Sequence, residues 1–268
     1  MEVTIFTPAY NRGDTLSRLY ESLKKQSNKN FQWVVVDDGS VDNTRELIES
    51  WKKENILNII YVYQENAGKM RAINRGVEFA EGEFFFIVDS DDYITEDAVE
   101  TIILEGEKLP KNMGGMIFRK INIATGEITG KPYPQYSIDS TPIEIVYKLG
   151  IDGDKAEVFR TKYLRENPFK VYEGEKFVPE ASVWIKIGEK YKMRYIDKGI
   201  YYFEYLEDGY TNNFLKLIKN NPRGFESYYS EMLKYNIPLK NKIKFFIRLL
   251  QSKYFKLVVG KRWKYSIL

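Results

Sequence analysis

"FFFIVDSDDYITED", residues 84–97, poses the question that settles the fold. Phe84 to Val88 form an unbroken apolar run, the mark of a strand buried on both faces. Asp89, Asp91 and Asp92 follow at once. Carboxylates this close repel one another and each prefers water or a counter-charge. An acidic turn leading into a helix accounts for the residue types. A divalent-cation site also accounts for the tolerated repulsion.

The residues before this run repeat its pattern. VTIFT (3–7) reads as a strand ending at Pro8, followed by Leu16, Leu19, Tyr20 and Leu23 at helical spacing, with Asp14 as N-cap. FQWVVVDD (31–38) is a second strand before the helix NTRELIESWKKE, and NIIYVYQE (58–65) a third before GKMRAINRGVEFAEG, which Gly82 closes. EFFFIV is the fourth strand, and Thr95 caps the helix TEDAVETIILEGEKL. Strands alternating with helices of this length predict an α/β fold with a mainly parallel sheet flanked by helices. In such sheets ligands bind beyond the carboxyl ends of the strands. Three of those ends are polar here: TPAYNRGD, VVVDDGSVDNT and VDSDD.

After Pro110 the pattern changes. GGMIFRKINI, ATGEITG and KPYPQYS suggest an antiparallel excursion, PIEIVYKLG a helix, and MRYIDKGIYYFEYL one or two strands. YLEDGYTNN (205–213) suits a mobile loop on the nucleotide side, and 211–235 reads as helical. The chain divides at about residue 210, with a helical C-terminal extension over 211–268.

Composition narrows the chemistry. Among 268 residues there is no cysteine and no histidine. Disulfides, thiolate or imidazole metal sites and His-assisted nucleophiles are therefore excluded. A metal must be held by oxygen, which selects magnesium, manganese or calcium. A general base near neutral pH must be a carboxylate, lysine or tyrosine. The net charge of +3 names no polyanionic partner, but its distribution is uneven. From Pro238 onward there is no acid, and nine cations (Lys240, Lys242, Lys244, Arg248, Lys253, Lys256, Lys261, Arg262, Lys264) interleave with aromatic and aliphatic residues. That pattern suggests a helix on an anionic membrane; no nucleic-acid motif accompanies it. MEVTIFTPAY lacks the basic segment of a signal peptide, so the expected location is cytoplasmic, peripheral at the inner face of the cell membrane.

TIFTPAYNRGDTL, VVVDDGSVDNT and NAGKMRAINRGVEFAEGEFFFIVDSDD, in this order and spacing, resemble family 2 glycosyltransferases over about residues 1–105. The resemblance implies a GT-A (Rossmann-like) domain over 1–210, binding nucleotide sugar through 1–105 and acceptor through 106–210. It implies an inverting transfer from a nucleotide sugar, usually a UDP-sugar, to a glycan or lipid-linked acceptor in surface-polysaccharide synthesis, with Mn2+ or Mg2+. Thr7, Pro8, Ala9, Tyr10 and Arg12 would line the nucleoside pocket, and Asp37, beside Asp38, would accept from uracil. Asp89, Ser90 and Asp91 would form the D-x-D element, with Asp91 on the metal and Asp89 nearer the ribose and sugar. Lys69 and Arg71 would offset diphosphate charge.

In this family the base is an acid well after D-x-D, often one of a pair before a helix. Glu180 in EKFVPEASVWIKIGEKY is the candidate, although Ala181 stands where a second acid often sits. Behind Phe177-Val178-Pro179 its carboxylate would be partly desolvated, which favours proton uptake. Glu173 and Glu175 compete with it, in a segment that reads as an exposed loop. Two other readings share the acidic constellation: a sugar-phosphate nucleotidyltransferase, whose Gly-rich loop TPAYNRGD does not supply, and a non-catalytic nucleotide-sugar-binding protein.

Overall fold

In the computed structural model, strands β1 (Val3–Ala9), β2 (Phe31–Asp37), β3 (Ile59–Tyr63) and β4 (Phe84–Ile87) alternate with helices α1 (Leu16–Lys24), α2 (Thr44–Glu54) and α3 (Lys69–Glu78). The structure describes residues 1–204 and 214–265, with side chains through residue 258. The loop expected at 205–213 and the side chains of Lys261, Arg262 and Lys264 lie outside the described residues.

The four strands run parallel, and their register aligns Ala9 with Asp37 and Phe6 with Ile87. The polar carboxyl ends of β1, β2 and β4 therefore share one sheet edge. Side chains alternate across a strand, so an unbroken apolar run feeds two cores. Ile5, Phe84 and Phe86 pack on one face with Leu16, Leu19 and Leu23 of α1. Phe6 and Phe85 pack on the other with Met70, Ile73 and Val77 of α3.

After β5 (Tyr93–Ile94) and α4 (Ala98–Glu107), the chain adds β6 (Gly115–Asn122), β7 (Ser137–Ser140), β8 (Lys155–Arg160), α5 (Thr161–Glu166), α6 (Ala181–Tyr191) and β9 (Met193–Phe203). The sheet order is β3-β2-β1-β4-β8-β6-β9-β5, with β7 also on β9. β8, which the sequence pattern does not reveal, lies antiparallel between β4 and β6. α7 (Phe214–Asn220), α8 (Pro222–Met232) and α9 (Leu239–Tyr265) form the C-terminal extension. They pack through Ile218, Phe225, Tyr229 and Leu249.

Several local expectations change. Thr15, not Asp14, occupies the N-cap of α1, and no side chain bonds there. Asp97 precedes α4, and the Thr95 hydroxyl donates to its carboxylate at 2.6 Å. Gly82 does not close α3, which ends at Glu78; its N–H donates to Thr4 Oγ1 at 2.9 Å, seating the turn into β4 against β1. PIEIVYKLG is helical over 142–148, but with π geometry over Glu144–Lys148 in place of a regular α-helix.

Candidate active site

The three acids that follow β4 have three different fates. Asp92 turns inward and accepts the Tyr201 hydroxyl at 2.7 Å. Asp89 receives the Lys69 ammonium at 2.6 Å, and its backbone N–H donates to the Tyr201 oxygen at 3.0 Å. Asp91 faces a cleft, and its carboxylate has no hydrogen bond or ion pair to another described residue. Lys69 thus offsets the Asp89 charge without any metal, whereas burial pushes the Asp92 carboxyl up to about 7 against Lys120, 4.0 Å away, and the Tyr201 hydrogen bond. Asp91 is the acid left without a described partner, and Asp89 meets Lys69 through Oδ1 at the same cleft wall.

Lys69 begins α3 and reaches in two directions. Its Nζ lies 2.6 Å from Asp89 Oδ1 and 2.8 Å from Glu180 Oε1. Against burial, which alone would lower it, the two carboxylates hold the Lys69 ammonium well above the usual lysine range. Against burial in the opposite sense, Lys69 and Lys120 hold the Asp89 carboxyl below the carboxylate range. Glu180 stands at the N-cap of α6. The ammonium thus contacts two acids that lie 20 and 111 residues further along the chain.

This cluster sits where two concavities meet. A cleft of about 600 Å³ is lined by Pro8, Ala9, Tyr10, Arg12, Asp38, Asn66, Ser90 and Asp91, and reaches Lys69 and Asp89. A second cavity of about 470 Å³ begins at the same Lys69 and Asp89. It continues past Glu180 to Glu157, Lys120, Lys155 and the aromatic rings of Tyr147, Trp184, Tyr195 and Tyr228. Tyr10 is 48% exposed at the cleft wall. The Arg12 Nε–H donates to Ser90 Oγ at 3.2 Å, joining the first strand end to the fourth.

Three sequence expectations, Thr7, Asp37 and Arg71, are placed differently. Thr7 is fully buried and lies off the cleft wall; its hydroxyl accepts the Trp33 indole N–H at 3.0 Å. Asp37 is also fully buried, accepting the Ser40 N–H at 2.8 Å and the Tyr61 hydroxyl at 2.7 Å. Its neighbour Asp38 reaches the wall instead, because successive side chains turn to opposite sides. Asp38 accepts from Gln64 Nε2, Ala67 N–H and Gly68 N–H at 2.6–2.8 Å. A carboxylate offers about four acceptor positions, so one is left. Arg71 is not turned to the cleft either. Its guanidinium donates to the carbonyls of Ala67, Glu175 and Tyr172 at 2.6–2.8 Å, tying α3 to the 172–175 segment.

That segment is less exposed than its sequence suggests. Glu175 is buried, and its oxygens accept the N–H groups of Arg223 and Gly224 at 2.9 Å, at the start of α8. Of the two competing acids, Glu173 is the exposed one. Trp184 packs against Phe159 and Phe169 at ring distances of 4.5 and 5.2 Å while lining the second cavity. Lys120, Lys155, Glu157 and Tyr201 had no signal in the sequence beyond their residue types. The sheet order collects them.

Gly68 explains how closely the two walls approach. Its φ is +97°, and a Cβ there would lie 2.0 Å from the Lys176 carbonyl oxygen. Gly68→Ala should cost about 1–3 kcal/mol from backbone strain and push the two loops apart. Urea denaturation measures this; a wild-type midpoint would show that the contact is dispensable.

Burial pushes the Glu157 carboxyl up to about 7, with Lys120 opposing and Glu180 reinforcing the shift. A carboxyl raised in the fold binds its proton more tightly there than in the unfolded chain. Its contribution is complete below about pH 4.3 and is lost as pH rises through about 7. Glu157→Gln should therefore flatten the decline in stability between pH 5 and pH 8 by about 2 kcal/mol, after allowance for partial solvent access. Denaturation at the two pH values checks this, and an unchanged decline would refute it.

Among the described residues no three or more Asp or Glu form a group able to hold a metal unaided. Asp91, open to the cleft, with Asp89 two residues away, suits an ion that takes one or two carboxylates and completes its shell with phosphate oxygens. The donor set contains only oxygen, which matches Mn2+ or Mg2+.

The sequence model described as "Glycosyl transferase family 2" matches residues 4–166. Glycosyltransferase GlyA of Streptococcus pneumoniae is 29% identical over 218 residues, covering 81% of this chain and 28% of that protein. The structure of S. aureus TarS 1-349 in complex with UDP-GlcNAc has a TM-score of 0.70 at 22% identity, covering 95% of this chain and 73% of that one. Mannosyltransferase PcManGT of Pyrobaculum calidifontis, in complex with GDP-Man and Mn2+, has a TM-score of 0.60 at 17% identity, covering 97% and 75%. These two likenesses establish the shared fold. The chain spans about a third of the length of the first curated relatives it matches.

Proposed function

This chain belongs to glycosyl transferase family 2, and from that premise we propose that it moves a sugar, with inversion, from a nucleotide donor to an acceptor hydroxyl. One observation carries the reading: a single ammonium touches both Asp89 and Glu180 where the cleft and the second cavity meet. An anomeric carbon at that junction would have a diphosphate on the cleft side and an acceptor on the Glu180 side.

The proposed donor is a UDP-sugar carrying a hexose or N-acetylhexosamine, in keeping with the UDP-GlcNAc complex of TarS. Tyr10 would cover the base, Asp38 would accept its N–H through the remaining acceptor position, and Arg12 would lie near the phosphates. Asp91, with Asp89, would hold Mn2+ or Mg2+, which would supply charge stabilisation for the departing diphosphate. Lys69 adds a fixed positive charge beside it. Glu180 takes the proton of the acceptor hydroxyl as its oxygen attacks the anomeric carbon, and the bond from that carbon to the diphosphate oxygen breaks. The aromatic second cavity receives the acceptor, a glycan or lipid-linked saccharide of the cell surface.

Incubation with UDP-sugar and manganese tests the reading, with slow release of free UDP as the expected result. Pyrophosphate from a nucleoside triphosphate would instead establish nucleotidyl transfer, and binding without turnover a non-catalytic role.

A further inference from the structure

α9 carries two apolar faces, and the domain uses only one. Phe245, Leu249 and Phe255 pack inward against the core of α7 and α8, with Ser252 fully buried between them. Arg248 lies 4.8 Å from the Phe214 ring, and Lys256 pairs with Glu226 at 2.8 Å. On the opposite side Ile243, Phe246, Ile247, Leu250, Tyr254 and Leu257 are each between 50% and 67% exposed. Their intervals of 3, 1, 3, 4 and 3 residues keep them in one stripe at 100° per residue. The stripe extends about 21 Å along the helix at 1.5 Å per residue. A soluble surface helix ordinarily turns a polar face outward.

Charge borders the stripe on both sides. By the same angular step, Lys240 and Lys244 lie along one margin and Lys242 and Lys253 along the other. None of the four pairs with an acid among the described residues. No acidic residue occurs from Pro238 onward. Long lysine side chains so placed can keep their ammonium groups at a headgroup layer while the stripe enters the acyl boundary.

We infer that the outward face of α9 docks on an anionic lipid bilayer. The helix lies in the plane of the surface, since no helix among the described residues is long and apolar enough to cross a membrane. A second copy of the chain fits the stripe less well, because face-to-face pairing would set lysine margins against lysine margins. The cleft adjoins the inward side of α9, opposite the stripe. Phe177 and Leu217 line both the cleft and a groove whose far wall is Lys244, Phe245 and Arg248 of α9. The inference stands on the helix alone and does not depend on the transfer reaction.

The test is co-sedimentation of the full chain with vesicles of phosphatidylglycerol and phosphatidylcholine, against phosphatidylcholine alone. Wild type should partition at least tenfold more strongly to the anionic vesicles, and the preference should fall as salt rises. Replacing Ile243, Phe246, Ile247 and Leu250 together by serine should abolish partition while the melting temperature holds, because these side chains face away from the core. Lys240→Gln, Lys244→Gln and Lys253→Gln together should weaken partition on the order of a hundredfold. Absence of wild-type binding to anionic vesicles at low salt would overturn the inference, as would unchanged binding by the four-serine variant. Concentration-dependent dimerisation that the four-serine variant removes, without vesicle binding by wild type, would assign the stripe to a second copy instead.

Discussion

Asp91→Ala is expected to abolish manganese-dependent binding of UDP and UDP-sugars, a loss of at least a hundredfold, or about 2.7 kcal/mol or more. The magnitude follows from the fate of the other two acids. Asp89, paired with Lys69, already supplies its share of the proposed metal site, and Asp92 holds the Tyr201 hydroxyl, so neither makes good the missing ligand. The fold should barely notice, because the Asp91 carboxylate bonds no other described residue. Thermal unfolding separates the two effects. A ligand that binds only the folded state raises the melting temperature. The variant should melt with the unliganded wild type yet show no rise with UDP and Mn2+. A wild-type rise would remove Asp91 from the metal site, and with it the proposed placing of the diphosphate.

Glu180→Gln is expected to retain donor binding and lose transfer by about 10²–10⁴-fold. The amide has the same shape and its oxygen can still accept from Lys69, but it cannot take a proton from the acceptor. The loss should fall on kcat, with the KM for donor close to wild type, the signature of an interaction used only in the transition state. Full activity would transfer the role to another acid. Glu157, on the wall of the same cavity, would be the first to examine. Glu175 would not, since its oxygens already hold the start of α8.

The β/α alternation was legible because it is written in local periods. A strand feeding two cores is apolar over its buried run, as Phe84–Ile87 and Trp33–Val36 are, and an amphipathic helix repeats every third or fourth position, as Leu16, Leu19 and Leu23 do. The acids at the strand ends could be read for the same reason, since parallel strands bring their carboxyl ends to one edge. Cap positions were less legible. Asp14 and Thr95 have capping chemistry, but the chain enters each helix one or two residues later.

What no local pattern contained is the set of partners. β8 alternates Lys155, Ala156, Glu157 and Val158 over too short a span to announce a strand. Its insertion between β4 and β6 is what carries Glu157 and Lys155 to the cavity. Arg71 and Lys69 are near neighbours with like charge, yet one staples backbone carbonyls and the other bridges two carboxylates. Residue type and spacing specify which groups a segment offers and which face it buries. Which distant group each one meets depends on how the sheet closes, because a contact between Lys69 and Glu180 exists only after the intervening chain has folded. The acidic strand end was therefore readable from residues 84–97 alone, while the ammonium that offsets its first charge was chosen by the tertiary structure.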